Sequence, residues 1–70
     1  MRMNEETIGE KRVRVSFNVD NNEEVTKLKK AFAELINMCE EMKEKDPRLA
    51  SMAQSELEIA CMLAVKCATA

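Results

Sequence analysis

Two stretches of this chain repeat apolar residues at intervals of three and four, and one short stretch alternates them strictly; the two periods divide the chain into elements. Val25, Leu28, Phe32, Leu35, Cys39 and Met42 form a heptad-like row that predicts a helix over about residues 23–44. Asp20, Asn21 and Asn22 are available to cap it, and Glu23 and Glu24 sit where the helix dipole favours acids. Ala31, Ile36 and Met38 widen its apolar surface beyond one row, which asks for a third helix. Asp46-Pro47 then reads as an N-cap followed by proline at the first helical position, opening a second helix over about 47–69. Its main stripe is Leu49, Ala53, Leu57, Ala60, Ala64 and Cys67, with Met52, Ile59, Met62, Leu63 and Val65 beside or across from it. The connection is short enough to make the two helices antiparallel neighbours.

Upstream, Arg12-Val13-Arg14-Val15-Ser16-Phe17 alternates as a strand does, with Val13, Val15 and Phe17 on one side and Arg12, Arg14 and Ser16 on the other. Residues 1–10 read as a polar, flexible tail that contains the single glycine, Gly9. The expected fold is mainly α: one domain over 11–69, an antiparallel two-helix hairpin with a short N-terminal β-strand arm over about 12–17. A lone strand pairs with another copy or lies over the helices.

Size turns this hairpin into part of an assembly. A chain of 70 residues buries a small share of its surface. From Ile59 to Ala70 the only charged residue is Lys66, and two helices cannot enclose a helix that is apolar nearly all round. The expected form is therefore an oligomeric helical bundle centred on the C-terminal half.

Composition narrows the chemistry. Three cysteines without CxxC spacing and the absence of histidine speak against a disulfide framework, a metal site and imidazole catalysis. The reading is a non-enzyme with no cofactor, placed in the cytoplasm by its thiols and the lack of a signal-peptide pattern. No apolar run reaches the roughly 18 to 20 residues of a membrane span. A net charge of -2 disfavours binding to long nucleic acid, while Lys11, Arg12 and Arg14 make a compact basic spot suited to a small anion.

The candidate binding residues are few. Arg12 and Arg14 share a strand face, where they serve either solubility or an anionic ligand. Phe17 and Asn18 offer a ring and an amide, the ring being either an anchor of the arm or a stacking surface. Arg48 lies in the first turn of the second helix, where free N–H groups favour anions. Lys66 is a lone charge on an apolar helix, which reaches water, pairs across an interface or meets a phosphate.

Three stretches carry a resemblance: Arg12 to Asn18, Leu28 to Ile36, and Leu57 to Thr69, the last with its Leu57-Glu58, Ala60, Met62, Ala64-Val65-Lys66 and Thr69 pattern. Over about residues 9–69 the chain resembles the helical-hairpin domain of phage nucleotide sponges, the anti-Thoeris and anti-CBASS proteins, and the strand motif is closer to the anti-Thoeris branch. Leu63 stands where that family often has Trp, and Val19 where it usually has proline. The resemblance implies a homo-oligomer, from dimer to hexamer, that sequesters bacterial immune signalling nucleotides in interface pockets without cleaving them. Glycocyclic ADP-ribose-type molecules and cyclic oligonucleotides are the implied ligands. Beside it stands a plainer reading, an oligomeric protein-interaction or regulatory module with no nucleotide.

Overall fold

The computed structural model describes residues 7–13 and 23–70. Three α-helices make up the described chain: α1 (Ile8–Val13), α2 (Glu23–Glu41) and α3 (Pro47–Ala68), with a 3₁₀ turn at Met42–Glu44 between the last two. The turn closes through Lys45 N–H and Asp46 N–H, which both donate to the Met42 carbonyl, at 2.9 and 3.2 Å. Asp46 then leaves the helical region, with φ -156° and ψ 94°, and its carboxylate accepts from Leu49 N–H at 3.0 Å. Pro47 follows at a position whose missing N–H costs nothing. At the far end the Thr69 hydroxyl donates to the Val65 carbonyl at 2.9 Å.

The expected arrangement of a hairpin with a strand arm is corrected here. The described residues form a three-helix bundle and contain no β-strand. Arg12 and Val13, placed at the start of the strand, are the last two residues of α1, and residues 14–17 lie outside the described residues. Helix α1 begins within the stretch expected to be a flexible tail, and a capping box starts it. Thr7 Oγ1 accepts from Glu10 N–H at 3.1 Å while the Glu10 carboxylate accepts from Thr7 N–H at 3.0 Å, so two orphan donors are satisfied reciprocally.

A helix of 6 residues does not persist alone, and contacts with α2 hold it. Gly9 sits so close to α2 that a Cβ there would lie 2.7 Å from the Ala33 carbonyl carbon and 2.8 Å from Asn37 Oδ1. Its N–H donates to that same Asn37 oxygen at 2.8 Å, and Asn37 Nδ2 donates back to Thr7 Oγ1 at 3.1 Å. The glycine is needed for close approach. These long-range contacts hold Arg12 and Val13 in a helix despite their place in the alternating pattern. Part of the third helix that α2 required thus comes from the same chain.

The core is small-grained. Val13, Ala33, Ile36 and Cys61 form it, with Phe32, Leu57 and Val65 packed against it, and Cys39 and Ala50 are buried beside. The buried stripe of α2 is Ala33, Ile36 and Cys39, and that of α3 is Ala50, Gln54 and Cys61. Both are rotated from the rows that the heptad reading selected, so Leu35, Met42 and Leu49 face outward. The body is thin, 11 Å along its shortest axis against 39 Å along its longest.

Candidate ligand cleft

A polar network runs from α1 through α3 to α2. The Arg12 guanidinium forks onto Glu58, with Nε to Oε2 at 3.3 Å and Nη2 to Oε1 at 3.3 Å. Its Nη1 donates to Gln54 Oε1 at 3.2 Å. Gln54 is completely buried, and its Nε2 donates to the Ile36 carbonyl and to Glu40 Oε1, both at 3.0 Å. Glu40 also pairs with Lys43 at 3.0 Å. The Gln54 amide, and then the Lys43 ammonium, hold the Glu40 carboxyl below its ordinary value. Every polar atom of the buried amide has a partner, which makes a polar side chain tolerable in so small a core.

This network borders an open cleft of about 550 Å³ lined by Arg12 and Val13 of α1, Lys29 of α2, and Glu58, Cys61, Met62 and Val65 of α3. The volume falls within the range of small-molecule pockets. Two cations and one carboxylate meet an apolar wall of valine and methionine. Burial pushes the Cys61 thiol up from its usual range, the nearby Lys29 opposing this, so the group stays protonated at neutral pH. A protonated, buried thiol is a poor nucleophile. All three Arg12 nitrogens donate within this network, to Glu58 and Gln54, while the side chain also lines the cleft.

The residues singled out in the sequence are not all brought together. Arg12 enters the cleft, although from a helix rather than a strand. Arg14, Phe17 and Asn18 lie outside the described residues. Lys66 is exposed one helical turn beyond Met62 and is not among the residues that line the cleft. Arg48 is exposed in the first turn of α3, and its separation of 18 positions from Lys66 puts them about 27 Å apart along one helix, too far to serve one pocket within a single copy. A smaller apolar hollow at the hairpin turn is lined by Met42, Lys45, Asp46, Leu49, Ala50 and Ala53, and Arg48 is not among them.

Sequence reading missed Lys29, Glu58, Gln54 and Met62. Gln54 had a legible signal, a polar residue sharing a helix face with Ala50, Leu57 and Cys61. The Thr7-Ile8-Gly9-Glu10 capping box was a second, and would have placed Arg12 on a helix. Among the described residues no cluster of three or more Cys, Asp or Glu is arranged to hold a metal, and no helix is long and apolar enough to cross a membrane. Compared with protein-family models, curated proteins and solved structures, the chain matches none of them.

Proposed function

We propose that this protein is an oligomeric sponge for small signalling nucleotides, of the glycocyclic ADP-ribose or cyclic oligonucleotide kind, which it holds without cleaving. The observation that carries the reading is the cleft in which Arg12 and Lys29 meet the apolar wall of Met62 and Val65. Cationic forks suit phosphates and apolar walls suit bases. The resemblance of residues 9–69 to nucleotide sponges points the same way, and the protonated Cys61 fits binding better than bond breaking. Sequestration then works by mass action: the free messenger falls and its effector stays below activating occupancy. Assembly as a homo-oligomer belongs to this reading, because a ring of copies closes an open cleft and repeats it by symmetry.

The test is calorimetry of the full chain against a panel of cyclic dinucleotides, cyclic trinucleotides and cyclic ADP-ribose derivatives. Binding at micromolar concentration or tighter by at least one member is expected, with Lys29→Ala, which removes a cation of the cleft, weakening it about tenfold while the oligomer persists. No heat with any member at micromolar protein would sink the reading.

A second reading draws on a different observation. Leu49, Met52, Ile59 and Leu63 are large and exposed on α3, a surface that also suits a protein-interaction module. Stoichiometric recovery of a protein partner together with a silent calorimetric panel would favour it.

A further inference from the structure

On α3 the residues turned from the core fall at alternating intervals of three and four: Leu49, Met52, Glu56, Ile59, Leu63 and Lys66. All are exposed, and the spacing is that of a coiled-coil seam. Two of them are charged, with opposite signs. Glu56 stands three residues before Ile59 and Lys66 three after Leu63, so the row from Glu56 to Lys66 mirrors itself about position 61 with its charge reversed.

We propose that this seam is closed by a second copy of the chain, α3 against α3, antiparallel and centred opposite position 61. Ile59 of each copy then meets Leu63 of the other, and Glu56 of each meets Lys66 of the other, giving two apolar layers flanked by two ion pairs. In antiparallel coiled coils the two kinds of seam position face each other, and the spacing of this row makes them Glu56 with Lys66 and Leu63 with Ile59. A parallel, in-register pair would instead set Glu56 against Glu56 and Lys66 against Lys66, which costs free energy in a seam that excludes water. Charge complementarity selects the occupant: another partner would have to present a basic residue, two apolar ones and an acid at the matching spacing, and this helix already does. The pairing goes beyond nucleotide binding and does not depend on it.

Sedimentation velocity of the full chain without nucleotide tests the charges. Glu56→Lys and Lys66→Glu each place like charges together twice, and each is expected to raise the dimer dissociation constant about tenfold or more. The double reversal restores opposite charges and should return it to within about threefold of the wild type. Both positions are exposed, so helical circular dichroism should be unchanged in all variants. A second measurement fixes direction. In a Cys67→Ser background, Glu56→Cys with Lys66→Cys should yield a disulfide-linked dimer on oxidation, while Glu56→Cys alone should not. A monomeric wild type, single reversals that associate like the wild type, a double reversal without recovery, or a linked dimer from Glu56→Cys alone would each overturn the proposal.

Discussion

The two faces of α3 hold opposite kinds of residue. Toward α1 and α2 it presents Ala50, Gln54 and Cys61, small or polar groups that are almost wholly buried. On the other side Leu49, Met52, Ile59 and Leu63 are 60, 52, 48 and 63% exposed. A self-sufficient domain of this size would bury its large side chains, since each contributes roughly 1.5 to 3 kcal/mol when removed from water. Here the covered face is specified by fit and hydrogen bonding, through Gly9 against Ala33 and the Arg12–Gln54–Glu40 network, whereas the bare face holds apolar area not yet used. The covered face orders one chain; the bare one leaves large apolar side chains in water.

The largest effect should come from breaking the bare face. Leu63→Asp puts a carboxylate in the middle of the exposed row and is expected to reduce the oligomer to monomers, read as a fall in mass by light scattering after size exclusion. An unchanged mass would mean that the large residues of α3 do not mediate assembly.

Breaking the covered face should affect the single chain instead. Gly9→Ala forces a Cβ into the Ala33 backbone, and must push α1 off α2 at a cost of about 1–3 kcal/mol. Lower urea midpoints and faster amide exchange over Ile8–Val13, with association retained, are the expected signature. Equal stability of the variant would show that α1 contributes little.

The smallest effect sharpens the account of the polar network. Glu40 titrates below its ordinary value of 4.5, because its charged form accepts from Gln54 and Lys43. Its folded-state pKa is depressed, so the stability it adds is present above that ordinary value and fades as pH falls through the folded one. Thermal melts across this acid range should therefore drop less steeply for Glu40→Gln than for the wild type. Parallel pH profiles would remove Glu40 from the acid sensitivity of the fold.

The hairpin was legible because its signals are local. Asp46-Pro47 caps a helix through its own backbone and side-chain chemistry, and three-and-four periodicity needs no partner to be read. Helix α1 was not, since the Arg12-Val13 alternation competes with a capping box and with a glycine whose purpose is visible only against Ala33. The cleft was half legible. Arg12 stood out as a cation in a basic spot, but nothing local distinguishes Lys29 and Glu58 from the other charged residues of their helices, and only the packing of α1 brings them to one cleft.

What the sequence by itself determined was the two long helices, the turn between them and the surplus of large apolar residues, all consequences of local propensity and periodicity. Tertiary structure decided which stripe of each helix faces in. A heptad row specifies a face but not its neighbour, and close packing put Ala33, Ala50 and Cys61 inside together with Ile36 and Val13. The same packing turned Ile59 and Leu63 outward, between the exposed charges of Glu56 and Lys66.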